Sequence, residues 1–241
     1  MEWILDGQIW ASFLTLAVLE IILGIDNIIF LSIVSSRLPK EHQKKARFLG
    51  LVLALVMRII MLAGIAWIAG MTVTAFSVGD FEVSWRDIIL GLGGLFLLYK
   101  GTTEIHNTVE GVDETHHEGS KKASFLSVIA MIVVLDLVFS LDSVITAVGL
   151  SDDLPVMIAA IVLAIIVMMV AAEPTSKFIS ENPSVKMLAL SFLLLVGVAL
   201  VADAAHFHIP RGYLYFAIAF SLSVEVLNLW RAKNSTKKTL N

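Results

Sequence analysis

The chain has 241 residues, 58% of them hydrophobic and 16% charged, with a mean hydropathy of +0.88. A soluble domain of this length needs far more polar surface to cover its core, so the composition points to an integral membrane protein whose first partner is the lipid bilayer. The formal net charge of −4 gives nucleic acid no basic patch to bind, and the lack of cysteine excludes disulfides, thiolate metal sites and thiol catalysis.

A bilayer core of about 30 Å takes about 20 apolar residues as helix. Seven stretches meet that requirement, at roughly 10–35, 48–70, 87–105, 124–149, 154–178, 187–205 and 212–230. The first ten residues carry Glu2 and Asp6 and no Lys or Arg, the reverse of a signal peptide, so the first run reads as a retained span. The runs are long and lack the short alternation of a transmembrane barrel, which predicts an all-α polytopic fold. The nine methionines are scattered along apolar stretches and read as packing residues.

The charges between the spans set an orientation. Arg37, Lys40, Lys44, Lys45 and Arg47 follow the first span. Lys121 and Lys122 follow the third, with Lys100 just before that loop, the fifth loop region holds Lys177 and Lys186, and Arg231, Lys233, Lys237 and Lys238 follow the last span. The alternate loops hold only Arg86 and Arg211 at their edges. The positive-inside rule then places the N-terminus outside and the C-terminus in the cytoplasm.

Two segments repeat one another. Glu20, Gly24, Asp26 and Asn27 of the first span align with Asp136, Ser140, Asp142 and Ser143 of the fourth, at a constant offset of 116 residues. The first span runs inward and the fourth outward, so the chain reads as two inverted three-helix repeats plus one extra helix. Repeat 1 covers about 8–105, a cytoplasmic loop about 106–122, repeat 2 about 123–206, and the seventh helix about 212–230. Inverted repeats with a site near the midplane are typical of secondary transporters. On an unbroken helix, Asp26 lies about 120° from the face of Glu20 and Asn27, and Asp142 likewise from Asp136 and Ser143. One span therefore cannot wrap an ion with both its acids, and the expected geometry sets span 1 against span 4 around a shared centre. Gly24 has two readings: it opens the helix and offers carbonyl oxygens, or it permits close helix packing.

Each carboxylate at the bilayer centre costs about 2.5–3.5 kcal/mol, so four cost on the order of 10 kcal/mol before compensation. Arg58, in the middle of span 2, is the fixed countercharge. One arginine cannot neutralise four acids, which leaves room for a cation or protons. The donors are all oxygen, from Glu20, Asp26, Asn27, Asp136, Asp142 and Ser143, and suit Mn²⁺, Mg²⁺ or Ca²⁺. Such an ion is cargo, and no tightly bound cofactor is expected. Two readings from other classes compete: an intramembrane aspartyl protease built on Asp26 and Asp142, and a membrane stress or assembly subunit that transports nothing.

Other polar groups are secondary. Ser221, Glu225 and Asn228 share a helical face in span 7 and read as a stripe turned toward the bundle. Glu173, before Pro174, reads as interfacial. Asp203, His206 and His208 form a candidate outer metal perch. The segment 104–122 is rich in His and acids and reads as a solvated cytoplasmic loop.

The Glu20…Gly24-Ile25-Asp26-Asn27 motif, its echo at Asp136…Asp142-Ser143, and the ending Val224-Glu225-Val226-Leu227-Asn228-Leu229 resemble the TerC family of bacterial membrane proteins. The resemblance spans essentially the whole chain. It implies a bacterial inner-membrane protein, not an enzyme, of a family associated with tellurite resistance and, in several members, with manganese efflux. Longer members append soluble domains, and this chain resembles their membrane part alone. The family's acidic motif falls on Glu20, Asp26, Asn27, Asp136 and Asp142. Ser143 in place of a second Asn departs from a symmetric site. The expected function is Mn²⁺ efflux by alternating access, with proton coupling as a fitting driving force.

Overall fold

The computed structural model describes residues 7–64, 73–79, 81–110, 124–150 and 153–239; the side chains of 78, 81, 142, 145–150 and 232–239 fall outside the description. In chain order the elements are α1 (Gly7–Leu23), α2 (Ile25–Ser35), α3 (Lys40–Ala63), β1 (Thr74–Val78), β2 (Phe81–Ser84), α4 (Trp85–Glu110), α5 (Phe125–Leu150), α6 (Leu154–Glu181), α7 (Pro183–Ala204) and α8 (Arg211–Thr239). Among the described residues, six helical stretches are long and apolar enough to cross a membrane. They are Gly7–Ser35, Lys40–Ala63, Trp85–Glu110, Leu154–Glu181, Pro183–Ala204 and Arg211–Arg231, with Phe125–Leu141 a shorter apolar helix. The fold is that of an all-α polytopic membrane protein, as the apolar runs require.

Three features differ from the sequence expectation. First, β1 and β2 form an antiparallel hairpin. Its signal was present: Phe76-Ser77-Val78 and Phe81-Glu82-Val83 alternate around Gly79-Asp80, and Gly79 takes φ +64, the left-handed value such a tight turn uses. Second, α3 begins at Lys40 rather than near 48. Pro39 precedes it, and long basic side chains in the first turns can keep their charges in water while their stems lie against the helix. Third, α4 continues to Glu110, so 106–110, expected as loop, is helical. His106 Nε2 and Glu110 Oε2 sit 3.3 Å apart on one helical face there. The remainder of that loop, 111–123, lies outside the described residues. The start of α4 is fixed by a capping box: Asp87 Oδ2 accepts from Ser84 N and Oγ at 2.9 and 2.7 Å, and Asp87 N donates to Ser84 Oγ at 3.2 Å.

The chain divides into two compact units, Met1–Ile89 with His117–Lys177, and Leu90–His116 with Phe178–Asn241. The division does not follow the sequence order of repeats 1 and 2. It groups spans 1 and 2 with spans 4 and 5, and span 3 with spans 6 and 7.

In the first unit, α3 packs on α5 through small residues. Ala46, Gly50, Ala54 and Arg58 recur every four residues and are all buried. A Cβ on Gly50 would stand 2.7 Å from Ile132 Cγ2. Large apolar side chains on the same helix, Phe48, Leu53, Val56 and Ile60, are exposed. Small inside and large outside is how membrane helices approach closely and still present hydrocarbon to lipid. The pairs His42–Phe125, Gly50–Ile132 and Arg58–Asp136 advance together along both helices, so α3 and α5 run parallel. Gly24 meets Met168 of α6, and Arg47 donates to both Ser35 of α2 and Ser176 of α6. Span 1 and α6 therefore also run parallel. The core contains Leu16, Leu31, Leu51, Leu62, Leu135, Ile161, Ile165 and Met168.

In the second unit, α4 and α7 cross at a glycine pair. A Cβ on Gly94 would lie 2.7 Å from Gly197 O, and one on Gly197 would lie 3.1 Å from Gly94 O. Gly91 faces Ala204 while Gly101 faces Leu194, so these helices are antiparallel. Leu97 packs against Gly197, its Cβ 3.2 Å from where a Cβ would stand on that glycine, and Leu97 and Leu190 are both fully buried.

Candidate functional site

The polar centre of the first unit is built by three elements. Span 1 supplies Glu20 and Asn27, α3 supplies Arg58, and α5 supplies Asp136. Arg58 Nε and Nη2 donate to Asp136 Oδ2 and Oδ1 at 2.9 and 2.7 Å, a two-pronged fork. Arg58 Nη1 donates to Glu20 Oε2 at 2.6 Å. Asn27 Nδ2 donates to Asp136 Oδ1 at 2.8 Å. Glu20, Arg58, Asp136 and Asn27 are between 1% and 6% exposed. The arginine thus bridges the two acids that occupy matching positions in the doubled motif. The phase of α3 explains its place: Arg58 continues the Ala46-Gly50-Ala54 face that lies on α5.

Two buried oxygens in this centre, Glu20 Oε1 and Asn27 Oδ1, have no hydrogen-bond partner. Each such acceptor costs about 1–3 kcal/mol if left unmade, so the arrangement favours a ligand with positive charge or a proton. Asn27 and Asp136 also line a small cavity, about 10 Å³ for the centre of a water-sized sphere, otherwise walled by apolar residues including Phe30, Leu51, Ala54 and Phe139. That is room for about one water-sized occupant.

Gly24 sits between α1 and α2 with φ −82 and ψ −7. Its N–H is shared between Glu20 O at 2.9 Å and Ile21 O at 3.2 Å, and its own carbonyl accepts from Ile28 N at 3.1 Å. The helix loosens there without unwinding. A Cβ would meet the buried Met168 Sδ at 2.6 Å, so the glycine permits close approach of α6, the packing reading.

The other expected site residues are placed as follows. Asp26 is buried in the first turn of α2, where a helix N-terminus favours a carboxylate. Ser143 is buried, with Oγ turned to Ser140 O of its own helix at 3.2 Å. Asp142 lies on α5, and its side chain falls outside the described residues. Glu225 is half-buried and Asn228 exposed on α8 of the second unit, so only part of that stripe faces protein. Among the described residues, no three His, Asp or Glu side chains form a group able to hold a metal. The outer perch is therefore a pair, His208 Nδ1 with Asp203 Oδ1 at 3.1 Å. Glu173 is exposed and pairs with Lys44 Nζ at 3.0 Å.

Sequence reading missed Arg47, counted only as a loop charge. It is 8% exposed, with Nη1 donating to Ser35 Oγ at 3.4 Å and Ser176 Oγ at 3.3 Å. Its spacing of seven and eleven residues before Ala54 and Arg58 puts it on the packed face and was the available signal.

The chain matches the profile described as Integral membrane protein TerC family over residues 5–240. It is 52% identical over 233 residues to UPF0053 inner membrane protein YgdQ of Escherichia coli (strain K12), covering 97% of this chain and 98% of that protein. It is 50% identical over 228 residues to a UPF0053 protein of Haemophilus influenzae, covering 95% and 96%. UPF0053 inner membrane protein YoaE of Escherichia coli (strain K12) is 50% identical over 234 residues, and there the chain spans 45% of the relative's length. No solved structure matches the chain. A doubled acidic motif in apolar helices, with Glu20, Asp26 and Asp136 buried, together with this match over nearly the full length, places the chain in the TerC family of integral membrane proteins.

Proposed function

We propose that this chain transports a divalent metal cation, Mn²⁺ foremost, outward across the bacterial inner membrane by alternating access. The observation that carries the reading is the pair of unpartnered buried oxygens, Glu20 Oε1 and Asn27 Oδ1, beside carboxylates held by a single arginine. All-oxygen donors suit hard and borderline divalent ions. Asp26, Asp142 and Ser143 complete the proposed donor set as the ion passes. The helix directions support two inverted repeats. Span 1 parallel to span 5 and span 2 parallel to span 4 are the pairings that exchange under a twofold axis relating spans 1–3 to spans 4–6.

Moving one charge outward against an inside-negative potential costs about 2.3 kcal/mol per 100 mV, and a divalent ion twice that. Efflux therefore needs a driving force. Protons entering as the metal leaves supply it and neutralise the emptied carboxylates. The positive-inside rule sets the N-terminus outside and the C-terminus in the cytoplasm.

The test is flux in liposomes containing only this protein, across Mn²⁺, Mg²⁺ and Ca²⁺, with an internal pH dye. Mn²⁺ movement coupled to opposing proton movement is expected, lost in Asp26→Asn and Asp142→Asn. In cells, the same variants should lose protection against manganese stress. Unchanged protection would remove those residues from the site, and absence of flux for every ion would favour a subunit that transports nothing.

A further inference from the structure

Arg58 holds three carboxylate oxygens at once: Glu20 Oε2 and both oxygens of Asp136. Among the described oxygens of Glu20, Asn27 and Asp136, Glu20 Oε1 and Asn27 Oδ1 remain open. Two oxygens are too few for a hard divalent cation, which takes about six or more oxygen donors. Both oxygens of Asp136 lie on the arginine, so a cation that uses Asp136 as well as Glu20 must take oxygens from it, whatever other donors complete its shell. The two cannot share them, because like charges repel strongly away from water.

We propose that Arg58 is a tethered substitute for the transported cation. It occupies Glu20 and Asp136 while the site holds no ion, is displaced from them when a metal binds, and returns when the metal leaves. The inference rests on the transport reading above and adds what lets the emptied carrier move. Bare carboxylates resist passage through an apolar centre. With the guanidinium across both, Glu20 and Asp136 need no metal on the return, and the entering protons are left to neutralise the remaining acids, Asp26 and Asp142. The same competition weakens metal binding and so speeds release.

The experiment uses the purified full chain, with Mn²⁺ alone as the probe. Calorimetry in nanodiscs compares wild type with Arg58→Gln and Arg58→Lys. Removal of a competitor predicts tighter binding, about ten-fold or more for Arg58→Gln. Arg58→Lys falls between, since an ammonium makes no fork. In proteoliposomes, Arg58→Gln keeps Mn²⁺-for-Mn²⁺ exchange while net efflux falls about ten-fold or more. A residue that merely props up the site gives the opposite sign: weaker binding, with exchange and net flux falling together. That result overturns the proposal. If Arg58→Gln does not fold, Arg58→Lys decides by the same two readouts. Wild type that neither binds nor moves Mn²⁺ sinks the transport reading itself. Wild type that transports while both variants bind more weakly sinks only the role of Arg58.

Discussion

The two units are held by different physics. The first is centred on a buried charge cluster, Glu20, Arg58, Asp136 and Asn27. The second is centred on backbone contact: a Cβ added to Gly94 would lie 2.7 Å from Gly197 O, and one added to Gly197 would lie 3.1 Å from Gly94 O. A charge cluster stores energy that a ligand can redirect, whereas a glycine crossing stores only fit. The contrast predicts a large penalty for breaking the cluster from one side. Asp136→Ala removes both acceptors of the Arg58 fork and the partner of Asn27, leaving a buried guanidinium on Glu20 alone. The expected loss is about 3–5 kcal/mol, read as a large fall in Tm of the detergent-solubilised chain, and under the transport reading flux is abolished as well. A fall no larger than that of a surface substitution would show that water already reaches the cluster.

The second unit sharpens the comparison from the other side. Gly94→Val drives a branched side chain toward Gly197 O and Val201 Cγ2, at 2.7 and 2.8 Å from the first added carbon. Overpacking of this kind costs about 1–3 kcal/mol. The expected signature is a lower Tm with Mn²⁺ affinity unchanged, since the cluster shares no side chain with α4 or α7. A changed affinity would show that the glycine crossing and the charge cluster are coupled.

Much of this was legible in the sequence, for reasons that name particular residues. Long apolar runs have few ways to satisfy their backbone in lipid, so the spans were readable, and a lone Arg58 among apolar neighbours advertised a buried acid partner. The hairpin at 74–84 was missed because a span search does not ask about period two, although Gly79-Asp80 between alternating residues carried the answer. The helical extension from His106 to Glu110 was missed because polar residues were equated with loop. Arg47 was missed because it follows a stretch of lysines that does reach solvent. The grouping of spans 1, 2, 4 and 5 could not be read from chain order, since it is set by which faces carry small residues, Ala46, Gly50 and Ala54 on α3 and Gly94 on α4.

A smaller effect probes the inequality of the two halves. Asn27 reaches Asp136 Oδ1 at 2.8 Å, while its counterpart Ser143, among the described residues, bonds its own helix at Ser140 O. Asn27→Ser makes the halves alike and forfeits one hydrogen bond to a charged group that Arg58 still supports. The expected cost is about 1 kcal/mol, a Tm shift smaller than that of either substitution above. Under the transport reading, the order of Mn²⁺ over Mg²⁺ in flux changes, because a hydroxyl replaces an amide oxygen in the donor set. An unaltered order with the small Tm shift would confine Asn27 to holding Asp136.

The smallest effect is expected where two similar contacts join the same helices. Arg47 and Lys44 both lie on the first turns of α3 and both reach α6, at Ser176 and Glu173 respectively. Arg47 is buried, whereas the Lys44 and Glu173 side chains are 77% and 60% exposed. An exposed ion pair gains little from Coulomb attraction in water, and holding two long side chains together costs entropy. Lys44→Ala should therefore leave Tm unchanged, and raising salt should leave the wild type equally unaffected. Arg47→Ala removes buried packing together with two hydrogen bonds and should lower Tm measurably. If the two substitutions instead gave equal shifts, burial would not be what separates them, and the charge at Lys44 would be contributing to the fold through more than its contact with Glu173.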